Sequence, residues 1–319
     1  MERLYKFDNL KAILIFLVVF GHFLELVEGH NLLYLTIYSF HMPLFLFVSG
    51  YFAHFNKKSI WIKLIFPYVV FQILYTIFEV YILGNEKLTL TFILPRWIMW
   101  YLFALIGYYL LIPFFDTDCE KKQIVIIVSM VCFSILIGYD RRIGYDFSAA
   151  RICTFMPFFF SGYYLSKKKL DCIYRKTRLN MRYMIGLSIS IFLIAAIVMV
   201  LGMGFISQSM LYGSNSFEAA EYNAQIKLLI LLFAGIWIVV GVVFMPNIKI
   251  PILSTIGRFT MPIYLLHGFI IKIIGKYYSQ RAEKLSFPLA LAFSMFVVLL
   301  LGNKVVNRIF NMIFKSTLS

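Results

Sequence analysis

The sequence predicts an all-α integral membrane protein of about ten transmembrane helices, with both termini cytoplasmic and residues 1–319 forming one domain. Three observations lead there. Hydrophobic residues make up 61% of the chain, against about 45–50% in soluble domains, and the mean hydropathy is +0.85. The apolar residues fall in long runs of roughly 17–25 residues, enough for a helix to cross the hydrocarbon core. Only 14% of residues are charged, yet the net charge is +15. On a soluble protein such an excess would point to nucleic acid. Here the cations cluster between apolar runs, so the expected partner is the anionic membrane surface, and no nucleic acid is expected.

Taken in order, the runs lie at roughly 9–27, 32–54, 60–83, 96–115, 122–138, 150–166, 183–206, 225–245, 258–275 and 286–308. No cleavable signal peptide is expected, because the first run leads into another span rather than into a small-residue cleavage site. The positive-inside rule sets the orientation. With the N-terminus inside, the cytosolic face collects Arg3, Lys6, Lys57, Lys58, Lys63, Lys121, Lys122, the dense cluster from Lys167 to Arg182, and Lys304, Arg308 and Lys315. Lys87, Arg96, Arg141, Arg142, Arg151 and Arg281 fall outside. The second run carries Pro43 and the segment Phe47-Val48-Ser49-Gly50-Tyr51, echoed in the sixth by Pro157 and Phe160-Ser161-Gly162-Tyr163. That echo is either the remnant of an internal repeat or coincidence in an aromatic-rich chain. Trp97, Trp100 and Tyr101 open the fourth run, where such residues are first of all interface anchors.

The chemistry concentrates in the first run. Lys11 and His22 are eleven residues apart. At about 100° per residue this leaves them about 20° apart around a helix and about 16 Å apart along it. Glu25, three residues beyond His22, reaches the same face. Ionisable groups at membrane depth are costly and indicate function. A neutral imidazole is a natural general base, and a neighbouring carboxylate can orient it and stabilise the imidazolium. Glu25 either does this for His22 or faces interfacial water. Lys11 either holds a phosphate or anchors the helix by snorkelling. His41 and His267 also fall inside spans, and each is either functional or a tie between helices. The four cysteines show no metal-ligand or disulfide spacing, and no metal site is expected. P-loop, dinucleotide-binding, zincin and hydrolase-elbow motifs are absent.

Lys11 with ten intervening residues before His22, the stretch Phe40-His41-Met42-Pro43-Leu44-Phe45-Leu46-Phe47-Val48-Ser49-Gly50-Tyr51-Phe52, the stretch Trp100-Tyr101-Leu102-Phe103-Ala104-Leu105, and Tyr264-Leu265-Leu266-His267 together resemble the acyltransferase 3 family, closest to its fucose 4-O-acetylase-like branch. The resemblance runs over essentially the whole chain. It implies a multi-pass enzyme of the bacterial cytoplasmic membrane that O-acetylates a sugar of an envelope glycan, exopolysaccharide or lipid-linked acceptor. No cofactor is held; acetyl-CoA is the implied co-substrate. His22 would deprotonate the acceptor hydroxyl or carry the acyl group in passing, with Lys11 near the phosphates of the acyl-CoA. Arg151, Trp100 and Tyr101 would border the acceptor. Many family members carry an Arg-x-x-Arg pair at the start of the third span. Here Ile60 and Lys63 stand at those positions, which leaves Lys63 as the corresponding donor contact, with Lys57 and Lys58 as alternative cations for the missing arginine, and removes bidentate recognition. The alternatives are a transporter or flippase of a sugar or lipid-linked glycan, for which intramembrane histidines and broken helices are equally apt, and a non-catalytic partner of polysaccharide-synthesis proteins.

Overall fold

The computed structural model describes residues 3–84, 90–141, 148–165 and 206–315. Helices α1 (Tyr5–Leu24), α2 (Asn31–Tyr51), α3 (Lys57–Tyr81), α4 (Trp97–Phe115), α5 (Glu120–Tyr139) and α6 (Ala149–Tyr164) form the first half. The second half holds the single turn α7 (Gln208–Leu211), α8 (Ala224–Phe244), the short α9 (Pro251–Ile256), α10 (Thr260–Gln280), α11 (Phe287–Leu301) and α12 (Lys304–Lys315). No strand occurs among the described residues. Nearly all of the expected seventh span at 183–206 lies outside them, as do Lys87, Arg142 and the basic cluster from Lys167 to Arg182.

Six described helices are long and apolar enough to cross a membrane: α1 to α5 and α8. Counting the bent pair α11 and α12 as one span makes seven, so ten is not reached among the described residues. The shortfall has local causes. Helix α6 has only 16 residues, short of the roughly 20 that cross unaided. In α10 the apolar sequence is diluted by Tyr264, His267, Lys272, Lys276, Tyr277 and Tyr278. The expected last span at 286–308 ends at Leu301: the chain bends by 57°, and the Asn303 side chain accepts from the backbone of Val305 and Val306 to start α12. Helix α12 then alternates Lys304, Asn307 and Arg308 with Val305, Ile309, Met312 and Ile313, the pattern of a helix lying in an interface.

Helix α1 is the hub. It packs on α2, α8, α9, α10 and α11, and 72% of its most apolar stretch is buried, against 22% for α5. Helices α5, α8 and α11 instead turn Val125, Phe133, Leu232, Val239, Phe296 and Leu299 outward, as lipid contact requires. Polar groups lock one end of α1. Buried Asn9 donates to the carbonyls of Pro246 and Ile248 and accepts from Ser254, fixing the hairpin between α8 and α9 beneath the helix.

The echo between the second and sixth runs has a physical reason. Helices α2 and α6 cross where Gly50 meets Gly162. A Cβ on Gly50 would stand 1.9 Å from the Phe159 carbonyl oxygen, and one on Gly162 would stand 1.9 Å from that of Phe47. The contact is reciprocal: each helix lays its glycine on the backbone three residues before the other's. Small residues let helices approach this closely in a membrane. In α3, Pro67 cannot donate to the carbonyl of Lys63, and a π-turn over Trp61–Ile65 absorbs the defect.

Candidate active site

His22 and Glu25 sit at the end of α1 opposite Asn9. The His22 Nδ1 lies 3.1 Å from Glu25 Oε1. The same carboxylate oxygen accepts from the Tyr38 hydroxyl at 2.7 Å and the Tyr34 hydroxyl at 3.4 Å. Tyr38 also stands 3.2 Å from His22 Nδ1, and Tyr34 shares a 2.6 Å contact with the Tyr212 hydroxyl. A carboxylate only accepts, so in the neutral form of the ring the Nδ1 facing it carries the proton and Nε2 keeps the lone pair. This is the arrangement by which a carboxylate fixes the tautomer of a general base. Glu25 thus contacts the imidazole and is at the same time exposed, so its two readings from sequence both remain open.

Three rings bracket His22: Tyr38 edge-on with centres 6.3 Å apart, Trp97 and His267. Trp97 packs against it with ring centres 4.6 Å apart, and His267 stacks behind at 5.7 Å with an interplanar angle of 26°. His267 is fully buried. Its Nδ1–H donates to the carbonyl of Ile263, and its Nε2 has no hydrogen-bond partner among the described residues. His41 likewise donates from Nδ1 to Ile37 and sits edge-on to Tyr38. Both histidines therefore tie into their own helices one turn back, and both stand within the ring system around His22.

Trp97 has φ of +35°, a region that a bulky residue enters only under strain. The surroundings hold it there. Gln72 donates to the carbonyls of Thr91 and Leu94 and accepts from the Arg96 backbone, while Tyr264 donates to the carbonyl of Ile98. Gly268 leaves room for the indole, since a Cβ there would meet Trp97 at 3.0 Å and the Tyr75 hydroxyl at 2.3 Å. Beside it the buried Glu79 is held by Arg96 and Lys272, each at 2.5 Å. A carboxylate at this depth is tolerable because both of its oxygens are paired with cations.

Two cavities meet at His22, Glu25 and Trp97. The first, of about 440 Å³, is walled by Tyr38, His41, Trp100, Arg151 and Tyr212. The Arg151 guanidinium lies over the rings of Trp100 and Tyr212, 5.2 and 5.9 Å from their centres. The second, of about 430 Å³, is lined by Leu26, Leu83, Lys272, Gly275, Lys276 and Ser279.

Of the residues singled out from sequence, His22, Glu25, His41, Trp100 and Arg151 come together at the first cavity. Tyr101 does not line it. Its hydroxyl bonds Ser49 at 2.7 Å and its ring packs on Phe45 and Tyr264, inside the bundle. Lys11 lies toward the other end of α1, about 16 Å away at 1.5 Å per residue. It bonds Asp8 at 3.2 Å and stands 5.7 Å from the centre of the Phe52 ring. Asp8 also holds Arg3, and Arg258 is close enough to act on Lys11 electrostatically. Tyr38 of α2 stands at His22 and Phe52, just after α2, stands at Lys11, so the two share the face of α1 turned toward α2. Neither cavity has Lys11 among its lining residues. Lys63 is exposed on the π-turn of α3. No site of three or more metal-ligating side chains occurs among the described residues.

Residues 4–302 match the acyltransferase 3 family, described as an acyltransferase domain. The chain belongs to this family. A stretch of 54 residues is also 50% identical to the nodulation protein NolL of Sinorhizobium fredii (strain NBRC 101917 / NGR234), covering 15% of either chain. The chain therefore spans a small part of this curated relative's length. No solved structure matches. With the match covering nearly the whole chain, the apolar helices belong to a multi-pass membrane protein carrying an acyltransferase domain.

Sequence reasoning missed Tyr34, Tyr38, Tyr212, Glu79 and Lys272. Some signals were present. Tyr34, Tyr38 and His41 recur at i, i+4 and i+7, one polar-tipped stripe on an otherwise apolar helix. Glu79 is the only acid in the third apolar run. The pairing of Tyr212 with Tyr34 joins residues 178 apart in sequence and has no local signal.

Proposed function

We propose that this protein moves an acetyl group from acetyl-CoA to a hydroxyl of an envelope or exopolysaccharide sugar, with His22 as general base, as in the fucose 4-O-acetylase-like branch of its family. The observation that carries the reading is the contact of His22 Nδ1 with Glu25, which leaves Nε2 unprotonated on a ring lining both cavities. His22 Nε2 takes the proton of the acceptor hydroxyl as its oxygen attacks the thioester carbonyl. Collapse of the tetrahedral intermediate breaks the C–S bond, and the imidazolium returns the proton to the departing thiolate. The products are the sugar O-acetyl ester and free CoA. Glu25 holds the imidazole in the required tautomer and offsets its positive charge midway through.

In this reading both termini are cytosolic, in a bacterial cytoplasmic membrane. Arg3, Lys11 and Arg258 face the donor side, where three cations against the single carboxylate of Asp8 leave charge for the phosphates of CoA. Lys63 stands at the mouth of α3 on the same side. The acceptor sugar approaches the aromatic cavity, where Trp100 and Tyr212 offer ring faces and Arg151 offers donors. The test is transfer of labelled acetyl from acetyl-CoA to surface glycan by the protein in detergent or vesicles. His22→Ala should abolish transfer while the protein keeps its melting temperature. Full transfer by that variant overturns the role of His22. Passage of unmodified glycan across vesicles, without label transfer, would overturn the enzymatic reading in favour of transport.

A further inference from the structure

The second cavity is not needed to hold a sugar ring, yet it opens on the same imidazole. Its walls are of two kinds. One is apolar, made by Leu26 after α1 and Leu83 after α3. The other is cationic: Lys272 and Lys276 lie one turn apart on α10, with the Ser279 hydroxyl three residues further on. The two ammonium groups are held differently. Lys272 is tied to Glu79 and stands 5.3 Å from the centre of the Trp97 ring. Lys276 donates to the backbone carbonyl of Ile82 at 2.8 Å, a neutral acceptor that orients the ammonium without cancelling its charge. Across Glu25, Glu79, Arg96, Lys272 and Lys276 there are three cations to two carboxylates, since the imidazole and hydroxyl partners of Glu25 do not cancel its charge. Among the described residues this leaves one positive charge in excess. Gly275 faces Leu26, the nearest atom to a Cβ there being at 3.4 Å, so this wall is low. Exposed Ile82, Ile273 and Tyr277 continue the apolar surface around it.

We infer that this second cavity holds a phosphate group borne on an apolar chain, so that the acceptor is presented to His22 as a lipid-borne phosphate ester. Lys276 and Lys272 take the phosphate, Ser279 donates to it, and the Leu26–Leu83 wall receives the first carbons of the chain. The sugar attached to that phosphate then passes Trp97 into the aromatic cavity, and its hydroxyl meets His22 between the two. An ammonium is a point donor suited to a phosphate whose orientation varies. The apolar wall beside it gives the chain a surface that a free anion cannot use. The inference rests on the reading of His22 as the reacting group, because it assigns the acceptor and not the donor to this side.

The test uses the full chain in detergent, with farnesyl diphosphate, farnesol and inorganic diphosphate titrated separately by calorimetry. The expected result is saturable binding of farnesyl diphosphate, weakened about tenfold in Lys276→Gln and more in Lys276→Glu, on the scale of one charge-assisted hydrogen bond. Gly275→Leu should weaken it too, by filling the cavity without touching a charge. Farnesol and inorganic diphosphate should each bind at least about tenfold more weakly than the joined molecule. Equal binding of farnesol would show an apolar groove only, and equal binding of inorganic diphosphate a free-anion site. Indifference to Lys276→Glu would place the ligand elsewhere. Each of these overturns the inference. Binding is read without turnover, so a wild-type protein that binds farnesyl diphosphate through Lys276 but transfers no acetyl would leave this site standing and remove the transfer reading.

Discussion

Replacing Glu25 by glutamine tests the arrangement most directly, because volume is kept and one charge is removed. The carboxylate oxygen now takes the His22 Nδ1 at 3.1 Å and the Tyr38 hydroxyl at 2.7 Å. Against a neutral imidazole, a glutamine oxygen replaces the lost acceptor adequately. In the proposed reaction the ring becomes an imidazolium during transfer, and the contact becomes an ion pair. A hydrogen bond to a charged group contributes about 1.5–3 kcal/mol. That figure applies chiefly to the charged state, so it is lost from the transition state and not from binding. At 1.36 kcal/mol per tenfold, kcat should fall by about 10- to 150-fold with KM for acetyl-CoA nearly unchanged. The glutamine must also turn its oxygen, not its amide, toward Nδ1; the opposite rotamer would favour the wrong tautomer and deepen the loss. The assay is initial-rate acetyl transfer by protein of matched melting temperature. A kcat within twofold of wild type, with His22→Ala inactive, would refute the coupling of Glu25 to the base.

Further expectations follow from the surrounding packing. Tyr38→Phe removes a donor to Glu25 and a neighbour of His22 Nδ1 together; transfer should fall by about tenfold, the scale of one hydrogen bond near a charge, with thermal stability close to wild type. Gly50→Ala or Gly162→Ala places a methyl against a carbonyl 1.9 Å away. Either should cost about 1–3 kcal/mol as overpacking, read as a lower melting temperature in detergent. Because each contact lies within one crossing, the double variant should cost less than the sum. Gly268→Ala drives a methyl toward Trp97 and the Tyr75 hydroxyl, so transfer should be lost at temperatures where the fold persists. Lys11→Gln should raise KM for acetyl-CoA several-fold and leave kcat nearly intact, and the effect should shrink at high salt; an unchanged KM would move the donor phosphates away from Lys11.

The sequence made the helical class and the single-face alignment of Lys11 with His22 readable, because both depend on local periodicity. One unbroken helix from Tyr5 to Leu24 carries both residues. Boundaries were less readable where a side chain decides them. The bend after Leu301 depends on Asn303 capping the next helix, which apolar content does not register. Tyr101 illustrates the limit at the site. Its neighbour Trp100 lines the cavity, while Tyr101, about 100° further around the same helix, points into the bundle and bonds Ser49. Adjacent residues were grouped by a shared motif although a helix separates their directions.

The reciprocal glycines connect this packing to the chemistry. Gly50 and Gly162 bring α2 and α6 to backbone contact, and that crossing sets where the rest of each helix can go. Toward the other end, α2 must still present Tyr34 and Tyr38 to Glu25 on α1, and α6 must place Arg151 over Trp100. The first cavity lies between these elements, lined by Tyr38, His41 and Met42 of α2 and by Arg151 and Phe155 of α6. A methyl at either glycine should push apart two helices that both line the cavity, though it lies far along both helices from His22. Stability and transfer should fall together in Gly50→Ala, whereas Glu25→Gln should change transfer alone. Transfer that survives a Gly50→Ala variant of clearly lowered melting temperature would show the cavity to be shaped by α1, α4 and α10 without help from the crossing.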